Sequence, residues 1–215
     1  MKKLLSLLFA LAATALSFPA QAQDAKAGEK KAAMCIGCHG IPGYQASFPE
    51  IYKVPMIAGQ GSKYIVSALT AYRKGDRRHP SMRAIATSLT DQDMADLAAF
   101  YEQETKGEVP DTKTASAPSV AVVELLKKGN CSSCHGENYN KPIDPSYPKL
   151  AGQHADYLYV ALKEYQTQNN PQVGRTNPVM MGMVLNFNHK ELKALSQYIA
   201  SLPGELKTVP QSRFR

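Results

Sequence analysis

The chain has 215 residues, of which 44% are hydrophobic and 20% are charged, and its formal net charge is +7 at pH 7. This composition is typical of a globular protein and excludes an intrinsically disordered chain. The length allows one or two domains. The lysines and arginines are scattered and do not form the concentrated basic stripe of a nucleic-acid binder, so we expect no nucleic-acid partner.

Residues 1–22 have the three parts of a secretory signal peptide. A positive start at Lys2 and Lys3 is followed by a short apolar run and by the cleavage sequence Ala-Gln-Ala, which ends at Ala22. We expect cleavage after Ala22 and export into an oxidising compartment. The alternative is that this segment is retained as an N-terminal membrane anchor.

The remaining sequence contains the same series of motifs twice. In chain order, each half has a Cys-x-x-Cys-His motif, a Pro-x-x-Ala-Gly-Gln segment, an Arg-x-His/Asn-Pro-x-Met segment and a closing amphipathic segment. Such a series indicates a tandem duplication. Residues 105–119 lie between the halves, are rich in Thr, Ser and Pro, and have the composition of a linker. We therefore expect two domains, at residues 23–104 and 120–215.

Apolar spacing and capping residues predict that both halves are helical. Ser119 is a candidate N-cap for a helix that would stop at Gly129. Candidate capping boxes at corresponding positions of the two halves are Thr90 with Asp93 and Asn188 with Glu191. Tyrosine, alanine and tyrosine recur at spacings of four in each half, at residues 64, 68 and 72 and at residues 157, 161 and 165, and we interpret these residues as core packing. No alternating pattern typical of a strand is present. The predicted fold class is all-α, a tandem duplication of two small helical domains joined by a linker.

The four cysteines of the chain form two Cys-x-x-Cys-His motifs. Their residues are Cys35, Cys38 and His39 in the first half and Cys131, Cys134 and His135 in the second. Two thiols at this spacing can each form a thioether with a haem vinyl group, and the histidine that follows can bind the iron as an axial ligand. The motifs therefore predict two covalently bound haem c groups.

Three other uses of the cysteines fit parts of this pattern. Two disulfide bonds are common in exported proteins, but they do not require a histidine after both pairs. A thioredoxin-like redox pair would follow a strand, and no strand is predicted before either motif. A four-thiolate zinc site usually has its cysteine pairs closer together and does not explain the histidines.

Each haem iron has a sixth ligand or an open position, and the duplication indicates which side chains are candidates. The segment that contains Met82 aligns without gaps on the segment that contains Met180, so these methionines are the predicted axial ligands. Met181 and Met183 compete locally in the second half, but the repeat register favours Met180. His79 is a rival ligand in the first half, although its counterpart is an asparagine. Filled His/Met positions predict electron transfer at a raised reduction potential.

The chain after the signal peptide resembles the cytochrome c4 family, periplasmic di-haem proteins made of two class I cytochrome c domains. The resemblance rests on the two CxxCHG runs, the VPMIAGQ and YPKLAGQ segments, the Arg-x-His/Asn-Pro-x-Met segments and the closing helices. It implies that the carbonyl groups of Pro55 and Pro148 accept hydrogen bonds from the axial histidines. It also implies a periplasmic electron carrier, rather than an enzyme, between a quinol-oxidising cytochrome bc complex and a terminal oxidase.

A second hypothesis is an electron-relaying cytochrome subunit of a periplasmic oxidoreductase, such as a thiosulfate dehydrogenase or a peroxidase. A dehydrogenase with a His/Cys-ligated haem would need a cysteine beyond the four present, and a peroxidase would need an iron with an open position.

Residues 120–215 contain 11 basic and 7 acidic residues, against 10 and 9 in residues 23–104. This asymmetry has two interpretations, a docking face on the second half for an acidic redox partner and a merely solvated surface. Peripheral association with a membrane is a further option.

Overall fold

The computed structural model describes residues 23–105 and 117–210. The predicted signal peptide lies outside these residues, and so does most of the predicted linker. Within the described ranges, no helix has both the length and the apolar character needed to cross a bilayer.

The first half is built from short helices around one core. Its described helices are α1 (Ala25–Lys31), α2 (Ala33–His39), α3 (Ser62–Lys74), α4 (Pro80–Thr87) and α5 (Asp91–Gln103), and its strands are β1 (Gln45–Ala46), β2 (Tyr52–Lys53) and β3 (Arg77–Arg78). Helix α5 packs against α1 and α3, and α3 also packs against α4. These contacts bury Met94 and Leu97, whose residues are each 1% exposed. The 3.6-residue spacing of such side chains explains the helical fold.

The second half repeats this arrangement. Its described elements are α6 (Val120–Gly129), α7 (Ser132–His135), α8 (Ala155–Gln166), β4 (Gly174–Arg175), α9 (Pro178–Val184) and α10 (His189–Ser201). Helix α10 packs against α8 and α6, and it buries Leu192 completely. The predicted all-α duplication is confirmed. The four named strands in the described residues have two residues each, which is too short for alternation to reveal them.

The predicted helix starts are present. The Thr90 hydroxyl accepts from the Asp93 N–H at 3.1 Å, and the Asp93 carboxylate accepts from the Thr90 N–H at 2.9 Å. The Asn188–Glu191 pair forms the same capping box, and Ser119 caps α6. Helix α6 ends at Gly129 as predicted, and Asn130, the C-cap, adopts the left-handed conformation with φ of 43°. Asparagine is one of the few side chains that enter this region readily.

Corresponding faces of the two halves dock against each other. Strand β3 pairs with β4 in antiparallel register, with Arg77 opposite Arg175. These arginines occupy equivalent positions of the duplication, so the pairing has local twofold symmetry. Beside it, the Thr176 N–H donates to the Asp76 carbonyl at 2.9 Å. Ion pairs between Lys53 and Asp156 and between Lys163 and Glu50 also cross the interface.

Candidate functional site

The docked halves enclose a large cavity whose wall is mostly apolar. Its volume is about 1230 Å³, which exceeds the roughly 300–1,000 Å³ of a usual ligand pocket. The structure brings every site residue predicted from the sequence to this wall: Cys35, Cys38, His39, Pro55, Met82, Cys131, Cys134, His135, Pro148 and Met180.

Helix α2 positions the first Cys-x-x-Cys-His motif. Cys35 and Cys38 lie one turn apart, and His39 is the last helical residue. The His39 Nδ1 lies 2.8 Å from the Pro55 carbonyl oxygen. Because a carbonyl oxygen only accepts, Nδ1 carries the proton and Nε2 keeps its lone pair for a metal. Burial lowers the pKa of His39 below its ordinary value, with the hydrogen bond to Pro55 acting in the opposite sense.

The second motif has the same geometry on the short helix α7. His135 is 8% exposed, and its Nδ1 lies 3.2 Å from the Pro148 carbonyl oxygen. Burial lowers the pKa of His135 as well, and the hydrogen bond to Pro148 opposes this shift. Both rings are therefore held neutral and in the same tautomer, which is the form that binds a metal through Nε2.

The four cysteines form no disulfide bond with one another. Burial raises the pKa of the Cys35 thiol to about 11 and also raises the pKa of Cys131. A dithiol redox site has the opposite character, because its attacking thiolate needs a lowered pKa. In residues 23–105 and 117–210, no three histidine, cysteine or acidic side chains cluster as ligands for a metal ion. The two pairs therefore do not converge into a four-thiolate zinc site.

The predicted methionine ligands lie in the first turns of α4 and α9. The Met82 N–H donates to His79 Nδ1 at 3.4 Å, and the Met180 N–H donates to Asn177 Oδ1 at 3.0 Å. The other ring nitrogen of His79 lies 3.3 Å from the Phe48 carbonyl oxygen. His79 is thus the helix cap that corresponds to Asn177, and not a free imidazole. Sequence reasoning missed this role, although the asparagine counterpart, a preferred cap, was the signal.

The three neighbouring methionines of α9 differ in position. Met180 and Met183 contribute to the cavity wall, whereas Met181 does not. Met180 packs against the buried cluster that contains Val184 and Phe187, while Met183 is 49% exposed. Packing therefore holds Met180 in place more firmly than Met183.

A family model described as cytochrome c matches residues 25–103 and 120–203. Cytochrome c4 of Pseudomonas aeruginosa is 32% identical over 209 residues, which cover 94% of this chain and 98% of that protein. The chain belongs to the cytochrome c4 family. The solved structure of reduced recombinant cytochrome c4 from Pseudomonas stutzeri has a TM-score of 0.62 and 29% identity, and the match covers 84% of this chain and 100% of that one.

A relative described as a thiosulfate dehydrogenase electron acceptor, from Stutzerimonas stutzeri, is 29% identical over 92% of this chain and 94% of its own length. Membership of the cytochrome c4 family makes the protein a di-haem electron-transfer cytochrome with two covalently bound haem c groups.

The polar groups at the wall of the shared cavity suit haem groups. Arg77 donates to the Tyr64 hydroxyl at 3.1 Å, and Arg175 donates to Glu164 at 2.7 Å. Guanidinium and phenol groups are suitable partners for the propionate carboxylates of a haem. The cluster consists of Tyr64, Tyr72, Arg77, Tyr157, Glu164, Tyr165 and Arg175. Our interpretation of its aromatic repeat as core packing alone therefore missed a polar cluster at the cavity wall.

Proposed function

We propose that this cytochrome is a periplasmic carrier of single electrons between a quinol-oxidising cytochrome bc complex and a terminal oxidase, with no catalytic activity of its own. The observation that carries the proposal is the single cavity, which both Cys-x-x-Cys-His motifs and both predicted methionine ligands line. Groups held there would lie near each other, so an electron accepted by one half could leave from the other. Sequencing the N-terminus of the mature protein checks the periplasmic location, and we expect it to begin at Gln23.

The roles of the site residues follow from their positions. Each haem supplies a one-electron ferric/ferrous couple when bound. The cysteine pairs Cys35/Cys38 and Cys131/Cys134 would hold the groups covalently, and His39 with Met82 and His135 with Met180 would bind the two irons. Pro55 and Pro148 fix the tautomer and orientation of the histidines. With two protein ligands on each iron, oxygen and peroxide would have no ready access to it.

The choice of Met180 is tested by substitution within α9. Met180→Ala should remove the low-spin His/Met signature of one haem and leave the other unchanged. Met183→Ala is the matched control and should retain both signatures, because Met183 is half-exposed and less firmly packed. The reverse result would show that the repeat register misassigns the ligand.

The respiratory role is tested with membranes washed free of periplasmic proteins. Adding the purified holoprotein should restore quinol-dependent oxygen uptake, whereas adding the Met180→Ala protein should restore much less. Failure of the native protein to restore uptake would contradict this placement.

A second candidate partner is a thiosulfate dehydrogenase, because the chain is 29% identical to a protein described as the electron acceptor of that enzyme. Purified thiosulfate dehydrogenase and thiosulfate would then reduce both haems rapidly. Rapid reduction by this enzyme, together with no restoration of oxygen uptake, would favour the second candidate over the first.

A further inference from the structure

The two Ala-Gly-Gln segments end in glutamines that reach across the interface. Gln153 accepts from the Met56 N–H at 3.0 Å and donates to the Met56 carbonyl at 2.9 Å. Gln60 accepts from the Lys149 N–H at 2.9 Å and donates to the Lys149 carbonyl at 3.0 Å. Both glutamines are 4% exposed. Each amide therefore pairs with a backbone segment of the opposite half in a reciprocal, buried arrangement.

Each glutamine contacts the same peptide group that accepts a hydrogen bond from the motif histidine. In the first half, the Pro55 carbonyl accepts from His39, and the N–H of the same peptide group belongs to Met56 and donates to Gln153. In the second half, the Pro148 carbonyl accepts from His135, and the N–H of that peptide group donates from Lys149 to Gln60. The N–H and C=O of a peptide group are conjugated through the C–N bond.

Hydrogen bonds in such a chain polarise one another. Donation by the Met56 N–H moves electron density onto the Pro55 oxygen and makes this oxygen a better acceptor for His39. A stronger acceptor at Nδ1 raises the basicity of the imidazole as a metal ligand. A more basic ligand favours the oxidised iron, so the hydrogen bond from the opposite half should lower the reduction potential.

We propose that Gln60 and Gln153 are crossed positioning residues, each of which tunes the reduction potential of the haem in the opposite half. Gln153 acts on the first haem through the Pro55–Met56 peptide, and Gln60 acts on the second through the Pro148–Lys149 peptide. This inference rests on the axial histidines assigned under the proposed function. It makes the docked interface part of the redox tuning as well as the connection between the halves.

The test compares Gln153→Leu with Gln60→Leu in the holoprotein. Leucine has a similar size, lacks hydrogen-bonding groups and adds no iron ligand. The two potentials are measured separately by redox titration, with each haem followed through the paramagnetically shifted methyl signal of its axial methionine. Gln153→Leu should raise the potential of the first haem and leave the second near its native value, and Gln60→Leu should do the reverse.

The matched control loosens the interface elsewhere. Thr176→Val removes hydroxyl contacts of 3.2 Å to Asp76 and leaves both glutamine pairs intact, so neither potential should shift selectively. If Gln153→Leu does not fold with haem, Gln153→Asn keeps the amide but shortens its reach, and it should give the same crossed rise.

Three results would overturn the inference: a shift confined to the haem of the substituted half, equal shifts of both haems, and no shift. A native protein without methionine methyl signals would overturn the assignment of Met82 and Met180 under the proposed function, and the crossed pattern would then be followed through the methyl signals of the haems. Methyl signals that are present but do not respond in the crossed pattern leave the proposed function intact.

Discussion

The first and last helices of each half pack together in both halves, but their contacts differ. In the first half, α1 approaches α5 closely at Gly28, where a Cβ atom would clash with the Asp96 carbonyl oxygen and lie 2.9 Å from the Phe100 Cβ. Seven residues before the first cysteine of the second half, Glu124 replaces this glycine, and its side chain is 65% exposed. There Leu125 and Leu126 of α6 pack against the core instead. The same helix pair is thus joined by backbone contact in one half and by apolar side chains in the other.

The second difference is a buried carboxylate. Asp96 is 3% exposed, and it accepts from the Lys31 Nζ at 2.7 Å and from the Asp24 N–H at 3.0 Å. Its counterpart in the repeat is Ala194, at the same place in the closing helix. The duplication therefore keeps the positions predicted to hold the haem groups and changes the contacts between the first and last helices.

The largest expected asymmetry comes from Gly28→Ala. The added methyl group cannot be accommodated without moving α1 away from α5, so we expect the first half to lose about 3 kcal/mol of unfolding free energy. The matched control, Glu124→Ala, removes an exposed side chain and should change the second half by about 0.5 kcal/mol or less. Hydrogen exchange of the α5 and α10 amides measures the two halves separately. Equal losses of unfolding free energy from Gly28→Ala in the first half and from Glu124→Ala in the second would contradict the distinction between the two helix pairs.

A smaller asymmetry is expected from Asp96→Asn at neutral pH. The substitution weakens charge-assisted hydrogen bonds to a buried group, which should cost the first half about 2 kcal/mol. Protection of the α10 amides should not change. Unchanged protection of the α5 amides from hydrogen exchange would show that the carboxylate contributes nothing to the docking of α1.

The buried Asp96 also predicts a pH dependence of the first half. Burial alone would raise the pKa of Asp96, but hydrogen bonds from Lys31, the Asp24 N–H and Gln92 outweigh it and hold the pKa below its ordinary value. The resulting stabilisation is complete above the unfolded-state pKa of about 3.9 and is lost as pH falls through the lower folded-state value. Between about pH 5 and the acid limit, α5 should therefore lose protection before α10 does. Asp96→Asn should reduce this difference, and the pairing of Lys31 with Asp93 should account for what remains.

The smallest effects should be symmetrical, because the two capping boxes are alike. Thr90→Ala and Asn188→Ala each remove a cap from a closing helix and should cost about 1 kcal/mol in their own half. A much larger loss in one half would mean that its closing helix depends on the cap more than its buried face suggests.

Local sequence patterns predicted much of this structure. The two capping boxes, the start of α6 and the helical class depend on residues within a few positions of one another. The cavity-lining motifs were visible because each is short and repeated. The Gln153–Met56 contact joins residues 97 positions apart, so no local pattern could reveal it. Strands β3 and β4 were missed because two residues show no periodicity.

Burial was the other property that the sequence did not reveal. Asp96 stands between apolar residues of α5, but a carboxylate is rarely buried without a partner, and the approach of α1 supplies both the burial and the hydrogen bonds. Likewise, the aromatic repeat of α3 and α8 fits a simple apolar core until the fold of each half brings Arg77 beside Tyr64 and Arg175 beside Tyr157. Both features depend on how elements assemble, which the spacing within one helix does not encode.

The central claim is that both haems have His/Met ligation with no open position, so that the protein carries electrons and does not bind small ligands. The most direct measurement is the ferric spectrum of the native holoprotein, with the methionine-to-iron charge-transfer band quantified per haem. We predict a band that integrates to two haems and disappears in two one-electron reduction steps. A high-spin haem that binds cyanide or carbon monoxide rapidly, in either half, would contradict the claim.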